Sequence, residues 1–403
     1  MLANTGELPS WISRLNLSLE ASLTGNSRFS PTYGRNTYEG TNAFELGSIV
    51  QKGMANTRIT WEKQRQLDFG IDLSLLGGLA DLTATVFTNE SYDLLLVGRS
   101  ASSVFGNTSF YDNLGSIRGK GLELGLRLNP IHTKDFDFTL GATFTTVSNK
   151  VHSLGGDQQM VLGYNGYAND DATMVMAVDH EPYEFYGYET RGIFSTTADA
   201  QAANLRNVDG VAYEAGDVWF VDQNGDGIID SKDKVSLGSP LPQFYGGVNL
   251  SVRYKEFVLD ANFGYSVGAK LYNGTRRQVE SMDKFYNQST AVLNRWQIEG
   301  QEATLPRATY GDPKGNNLFS DRWIEKGDYL KLRSVRLTYN FEKLFSLVRS
   351  GSVFVAAENL FTLTKYLGSD PEFAYSYDER LRGFDYAKVT LPITAKVGFN
   401  LNF

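Results

Sequence analysis

The stretch with the clearest capacity for chemistry is DQNGDGIIDSKD, which runs from Asp222 to Asp233. Its oxygen donors stand at positions 1, 3, 5, 7, 9 and 12 of the stretch, namely Asp222, Asn224, Asp226, the Ile228 carbonyl, Asp230 and Asp233. Gly227 stands at position 6, where an EF-hand calcium loop turns sharply. This spacing predicts a structural Ca²⁺ site that stiffens a loop. An ordinary Asp/Asn/Gly surface turn is the alternative, because the last ligand is Asp rather than Glu and no flanking helices are apparent.

A second motif, GYSVG around Ser266, matches the G-x-S-x-G pattern of hydrolase nucleophiles. That pattern requires the serine on a strand-to-helix turn, whereas Ser266 falls on the polar face of a predicted hairpin strand. The histidines, His132, His152 and His180, lack the spacing of a catalytic triad or a metal site, and the chain has no cysteine. We therefore predict no catalytic residues, no catalytic cofactor and a protein that is not an enzyme.

The elements that carry these motifs have the pattern of amphipathic strands. In the last stretch, LPITAKVGFNLNF, apolar residues hold the odd positions from Ile393 to Phe403 and polar or small residues hold the even ones. This period of two indicates a strand with one apolar and one polar face, and about eleven residues suffice for a tilted strand to cross a bilayer. The pattern recurs and predicts about twelve strands in total. The others are 14–24, 61–76, a return strand to about 95, 115–129, 136–146, 173–178, 183–194, 244–254, 257–265, 329–341 and 352–364.

The connections between the predicted strands alternate between long and short. The long ones are about 25–60, 96–114, 148–172, 195–242, 268–327 and 365–387, and only 276–296 within them has a helical pattern. Soluble sandwiches keep most loops short, whereas outer-membrane barrels combine short periplasmic turns with long extracellular loops. The sequence therefore predicts an all-β fold, an antiparallel transmembrane β-barrel in which 1–403 is one barrel portion without a plug domain.

Composition excludes several other classes. The net charge of −8 gives no reason to expect a nucleic-acid partner, and no apolar run is long enough for a transmembrane helix. Residues 1–13 lack the basic and apolar regions of a signal peptide. Charged residues such as Glu123, Arg127 and Asp260 lie on the polar strand faces, where a wet barrel interior accommodates them. Facing lipid, each cation would cost roughly 2–4 kcal/mol near the middle of the bilayer.

Five segments carry a family resemblance. They are GSIRGKGLELGL (115–126), GYETRGIF (187–194), the 222–233 loop, LKLRSVRLTYNF (330–341) and ENLFTLTKYLGSDPEF (358–373). In this order they resemble SusC/RagA-type TonB-linked outer-membrane transporters of Bacteroidetes, and the last segment is quite specific. The resemblance implies uptake of a glycan or peptide through a 22-stranded barrel that encloses an N-terminal plug. It also implies a SusD-like lipoprotein partner and energy from TonB–ExbB–ExbD. We expect this chain to be the C-terminal part, without plug, TonB box or first barrel half.

The same resemblance implies that the barrel-assembly machinery reads the terminal strand, with Phe399, Leu401 and Phe403 as its signal. It places the protein in the outer membrane of a Gram-negative bacterium, in contact with outer-membrane lipid. The sequence indicates no particular substrate-binding residue. Two alternatives stay open at this point: a self-contained twelve-stranded outer-membrane barrel, and a soluble calcium-dependent carbohydrate-binding module.

Overall fold

The computed structural model describes residues 9–28, 30–43, 46–98, 110–163, 171–345, 348–372 and 381–403. The strands of its first half are β1 (Ile12–Asn26), β2 (Thr37–Ala43), β3 (Leu46–Gly53), β4 (Glu62–Leu75), β5 (Ala80–Gly98), β6 (Phe110–His132), β7 (Phe136–Leu154), β8 (Gln159–Gly163), β9 (Thr173–Ala177), β10 (Glu184–Tyr188) and β11 (Thr190–Ile193). Those of its second half are β12 (Arg206–Asn207), β13 (Val218–Phe220), β14 (Ile228–Ile229), β15 (Lys234–Gly238), β16 (Phe244–Tyr254), β17 (Phe257–Val267), β18 (Lys270–Asn273), β19 (Ile324–Lys326), β20 (Tyr329–Phe345), β21 (Val348–Thr364), β22 (Phe384–Asp385) and β23 (Thr394–Asn402).

Helices are few and short in the described ranges. They are α1 (Thr197–Ala203), α2 (Gly274–Glu280) and the 3₁₀ turns Pro31–Gly34, Ser231–Asp233, Thr290–Asn294 and Asp321–Trp323. The predicted helix over 276–296 is wrong beyond Glu280, because Met282 takes a positive φ of 54° that a helix does not tolerate. None of the described helices has the length and apolar character needed to cross a membrane.

Ten strands form one large sheet in the order β1-β4-β5-β6-β7-β16-β17-β20-β21-β23. The pairing is antiparallel for β1–β4–β5 and for β16–β17–β20–β21–β23. The prediction of about twelve strands in this sheet was wrong by one pair. Segments 173–178 and 183–194 do pair, as β9 with β10, but within a separate four-stranded sheet ordered β15-β10-β9-β8. Their strands are five residues each and buried on both faces, so they lack the alternation of the long strands.

The register aligns the apolar residues of successive long strands on one side of the sheet, here called the apolar face. Leu259 pairs with Leu337, Leu337 with Val355, and Val355 with Val397. All four are exposed, Val397 by 76% of its surface. Because a soluble protein rarely exposes so continuous an apolar surface, this face is suited to lipid. Residues in between form the opposite, polar face.

In the sequence of 329–341 the apolar positions shift from Leu330 and Leu332 to Val335 and Leu337, which predicts a bulge near Arg333. β20 has this bulge, and it keeps the alignment of the apolar face intact. The register shifts between Leu332 and Ser334 against β21 and at the matching place against β17. A bulge adds one residue, so Leu332 and Val335 share the apolar face although they are three positions apart. The Arg333 guanidinium lies over Gly264, where a Cβ atom would come within 2.3 Å of Nε.

The chain forms two compact units. The first is Met1–Gly125 with Thr145–Met160 and Met176–Pro182, and the second is Leu126–Phe144 with Val161–Val175 and Tyr183–Phe403. The second unit contains two buried hydrophobic clusters. The first groups Phe185, Tyr272, Phe319, Trp323 and Phe384, among others. The second groups Tyr188, Phe194, Val218, Phe220 and Ile229, among others. The first cluster takes buried residues from connection 268–327 and the second from connection 195–242, so each of these connections contributes to a core.

Candidate functional site

The predicted calcium loop is held by short strands rather than by helices. β13 leads into it, and β14 lies within it and pairs in parallel with β12, with Arg206 opposite Ile228. Ile229 is 1% exposed and belongs to the second hydrophobic cluster. The loop is therefore anchored to a core at its second half.

Asp222 organises the first half of the loop. Its Oδ1 accepts a hydrogen bond from the Gly225 N–H and its Oδ2 one from the Gly227 N–H, each at 2.7 Å. Both glycines have positive φ, 76° and 78°, which allows the chain to fold around the carboxylate. Burial alone would raise the pKa of the Asp222 carboxyl, but the N–H groups of Gly227 and Gly225 outweigh it, so the pKa lies below its ordinary value.

The next two candidate ligands form successive side-chain turns. Asn224 Oδ1 accepts from the Asp226 N–H at 2.9 Å, and Asp226 Oδ1 accepts from the Ile228 N–H at 2.9 Å. The Asn224 amide also donates to Asp226 Oδ2 at 3.0 Å. These turns give the loop a rigid backbone by local bonds alone.

Asp233 closes the loop from within the protein. It is 0% exposed, and its two oxygens accept from the N–H groups of Gln223 at 2.9 Å and Asp230 at 2.8 Å. Asp230 and Asp233 form a capping box on the 3₁₀ turn, in which each side chain accepts from the backbone N–H of the other, and Asp230 Oδ1 also accepts from the Lys232 N–H at 2.7 Å. Position 12 thus ties the two ends of the loop together through backbone bonds.

The oxygen atoms of the loop are of the type that a hard cation such as Ca²⁺ prefers. In this structure, however, these side-chain oxygens accept hydrogen bonds mainly from backbone N–H groups. Within the described ranges no three acidic or histidine side chains converge as metal ligands. The Lys232 ammonium lies 3.6 Å from Asp230 Oδ2 and 3.9 Å from Asp226 Oδ2, beside two of the predicted ligands. Calcium binding stays a prediction.

The polar face of the second unit carries paired charges and amides, as expected for a wet lining. Arg253 forms an ion pair with Asp137, and Ser251 Oγ donates to Asp260 Oδ1 at 2.7 Å. Asn262 Nδ2 donates to Ser334 Oγ at 2.9 Å. These polar contacts connect neighbouring strands and leave the face hydrophilic.

A buried ion cluster fixes the segment after β21 to this polar face. The Lys331 ammonium is 2.8 Å from Asp370 Oδ2 and 2.9 Å from Glu372 Oε2, and Lys331 is 2% exposed. Glu372 also contacts Arg333. Asp370 and Glu372 flank the proline of the DPE motif, so this motif anchors its connection onto β20. Sequence reasoning missed this cluster, although the acidic pair in the motif was a signal for cationic partners.

A second buried ion cluster is centred on Asp217 in the long connections and is here called the Asp217 hub. Asp217 is 0% exposed, and its carboxylate accepts from Arg307 Nε at 2.9 Å and Asn316 Nδ2 at 3.0 Å. The Lys314 ammonium lies 3.3 Å away. The hub links connection 195–242 to connection 268–327. It too was missed from the sequence, because its partners lie about a hundred positions apart.

The hydrolase-like motif shows no nucleophile geometry. Ser266 lies in β17, where it pairs with Tyr245 and Tyr329 inside the large sheet. The next described element is the strand β18 rather than a helix. The Ser266 hydroxyl therefore lacks the strained strand-to-helix turn that a G-x-S-x-G nucleophile requires.

The predicted assembly signal occupies the edge strand β23. Phe399 pairs with Val353 and Leu401 with Gly351, while Phe403 follows the strand and is 71% exposed. Phe399 and Leu401 thus lie on the apolar face, as the alternation predicted. Their role in assembly stays a prediction.

The tryptophans stand at or beyond the ends of the predicted strands, where the sequence allows an interfacial belt or loop core on the one hand and sugar stacking on the other. Trp11 and Trp61 are more than half exposed, as in a belt. Trp323 is fully buried in the first hydrophobic cluster, Trp219 stacks on Phe194 at 4.7 Å, and the Trp296 Nε1–H donates to the Ser195 carbonyl. These three pack within the long connections.

Comparison with known proteins gives several relatives, although no family model matches the chain. The chain is 28% identical over 399 residues to TonB-dependent receptor P3 of Formosa agariphila, covering 94% of this chain and 38% of the receptor. It is 27% identical over 336 residues to TonB-dependent receptor SusC of Bacteroides thetaiotaomicron, covering 80% of this chain and 31% of SusC. The chain spans about two fifths or less of the length of these curated relatives.

Solved structures show the same fold. The RagAB peptide transporter matches with a TM-score of 0.78 and 22% identity, over 98% of this chain and 42% of that one. The RagAB peptide importer in its open-open state matches equally well. The predicted fold class, an antiparallel transmembrane β-barrel portion, is confirmed, and so is the resemblance to SusC/RagA-type transporters.

Proposed function

We propose that this chain is the C-terminal barrel portion of a TonB-dependent importer of the SusC/RagA type in the outer membrane of a Gram-negative bacterium. The observation that carries the proposal is the register-aligned apolar face opposite a charged polar face. Such a sheet is suited to lipid on one side and to water on the other. The relatives named TonB-dependent receptor support the energy source.

In this proposal the polar face contributes to a hydrated passage for a glycan or a peptide. SusC and the RagAB peptide transporter support uptake of a large polar nutrient. A SusD-like lipoprotein would act as the partner, and TonB–ExbB–ExbD would supply energy through the whole protein. The side chains on the polar face would contribute hydrogen bonding and charge, with no covalent chemistry.

The test is uptake by cells in which the gene of the whole protein is deleted and then restored. We expect uptake of a labelled oligosaccharide or peptide pool to be lost in the deletion strain, restored by the gene and abolished again when TonB is removed. Loss without TonB is the specific result, because a passive pore conducts without it. Uptake that persists in the restored strain lacking TonB would contradict the proposal.

We also propose that loop 222–233 binds Ca²⁺, supported by the six oxygen donors at EF-hand spacing. We expect Ca²⁺ to protect connection 195–242 from proteolysis, and Asp222→Ala with Asp226→Ala to abolish that protection. Asp209→Ala is the matched control, because Asp209 is an exposed acidic residue in the same connection.

Asp222 also accepts hydrogen bonds from the loop backbone, so the double variant will be more sensitive to proteolysis even without Ca²⁺. The decisive measurement is therefore the calcium dependence of the unaltered protein, and its absence would leave the loop a calcium-independent turn.

A further inference from the structure

On the side of the long connections, the apolar face of the first unit is bordered by a cluster of exposed cations. On β4 the alternation that places Phe69 and Leu67 on the apolar face continues to Arg65 and Lys63. The register pairs Phe69 with Val86, Leu67 with Thr88, and Arg65 with Glu90. The charges therefore begin one step after the last apolar residue, on the same face.

The cluster is built around one shielded carboxylate. Glu90 contacts the Arg65 guanidinium and accepts from Arg118 Nε at 2.9 Å. The Glu90 side chain is only 12% exposed, whereas those of Arg65 and Arg118 are 67% and 53% exposed. Glu90 thus sets the spacing of two guanidinium groups whose outer surfaces face away from the protein.

An aromatic ring and a third cation extend the cluster. The Lys63 ammonium lies 2.8 Å from Asp93 and 5.7 Å from the centre of the Tyr92 ring, and Arg65 lies 6.0 Å from the same ring. Cations in this group outnumber carboxylates by three to two. Lys120, two positions after Arg118 and therefore on the same face, is also exposed.

An open cleft of about 460 Å³ adjoins the cluster, and both of its carboxylates, Glu90 and Asp93, help to line it. Its wall includes Arg65, Arg118 and Tyr92, with Ser116, Asn113 and His152 as further polar groups. A cleft with two arginines suits a phosphate group, because the planar guanidinium group forms bidentate hydrogen bonds to phosphate oxygens. Its tyrosine and polar groups suit a sugar ring attached to that phosphate.

We propose that this cleft binds the phosphorylated sugar headgroup of a glycolipid in the outer leaflet of the membrane. The inference rests on the outer-membrane location in the proposed function. Continuity with the apolar face favours a lipid over a free phosphate, because acyl chains would lie against Leu67 and Phe69 directly below the headgroup.

The test is binding of the whole purified protein to nanodiscs that contain lipid A, compared with nanodiscs of phosphatidylcholine and of dephosphorylated lipid A. We expect Arg65→Gln with Arg118→Gln to weaken binding to phosphorylated lipid A by at least about tenfold, since each basic residue near an anionic surface contributes about 1 kcal/mol. The preference should also decline with added salt, and inorganic phosphate alone should compete weakly.

Arg14→Gln with Arg127→Gln is the matched control, because Arg14 and Arg127 lie on the polar faces of β1 and β6 and their loss removes the same charge. We expect this variant to bind lipid A as the unaltered protein does. Equal binding by both double variants, or equal binding to dephosphorylated lipid A, would overturn the inference. A protein that inserts and imports normally yet gives that result loses only this site, whereas failure to reach the outer membrane contradicts the proposed function itself.

Discussion

Replacing Leu337 with arginine is expected to destabilise the inserted protein by roughly 2–4 kcal/mol and to reduce sharply the amount found in the outer membrane. Leu337 is 47% exposed and lies on the apolar face, where it pairs with Leu259 on one neighbouring strand and Val355 on the other. It is also the middle residue of β20. A guanidinium at this position would have to leave water for hydrocarbon. Membrane fractionation and urea unfolding in lipid vesicles measure the two effects.

Thr338→Arg is the matched control, since Thr338 is the next residue of β20 and lies on the polar face. A new cation there enters a surface that already holds Arg336 and Arg253. We expect a change of only a few tenths of a kcal/mol in the free energy of unfolding. If Leu337→Arg and Thr338→Arg insert equally well, neither face of the sheet is lipid-facing and the membrane assignment fails.

The long strands could be predicted from the sequence because their signal is local. Alternation within 244–254 already defines both faces of β16, and the predicted bounds agree with Phe244–Tyr254. Even the bulge at Arg333 was visible, because an extra residue interrupts an otherwise regular alternation. A lipid-facing strand must satisfy this pattern over its whole length, which makes the pattern unusually complete.

The long connections could not be predicted in the same way. β9 and β10 pass into a core that buries both of their faces, so their residues carry no alternation to distinguish their sheet from the large one. The Asp217 hub depends on partners about a hundred positions away. Such contacts follow from tertiary packing, and the residue types alone do not specify which acid meets which base.

The 222–233 loop falls between these cases. Its spacing predicted the sharp turn at Gly227, which the positive φ of that residue confirms. The same spacing serves two purposes, because carboxylates that can surround a cation can also accept backbone N–H groups. The hydrogen bonds of Asp222 and Asp233 show the second use. Only a measured response to Ca²⁺ tests the first.

The second large effect is expected at Lys331. Replacing it with methionine keeps much of the side chain's volume and removes the ammonium that faces Asp370 and Glu372. The Asp370 side chain is 7% exposed, so its carboxylate would be left without its main partner in a dry site. Breaking one partner of a buried ion pair typically costs about 3–5 kcal/mol. We expect faster proteolysis of connection 365–387 and weaker uptake, because this connection would leave the polar face.

Lys396→Met provides the control, since the Lys396–Glu358 pair lies on the same polar face but its side chains are 51% and 39% exposed. An exposed pair contributes at most about 1 kcal/mol, so this variant should resist proteolysis as the unaltered protein does.

The cause is then isolated by adding Asp370→Asn and Glu372→Gln to the Lys331→Met protein. If the cost arises from stranded carboxylates, neutral amides will restore most of the protease resistance, because no unpaired charge remains buried. Recovery of uptake together with protease resistance would show that the cluster acts by anchoring the connection. If the connection stays protease-resistant in Lys331→Met alone, the cluster does not hold it, and the hydrogen bond that the Tyr366 hydroxyl donates to Asp385 Oδ2 at 2.6 Å would be the contact that does.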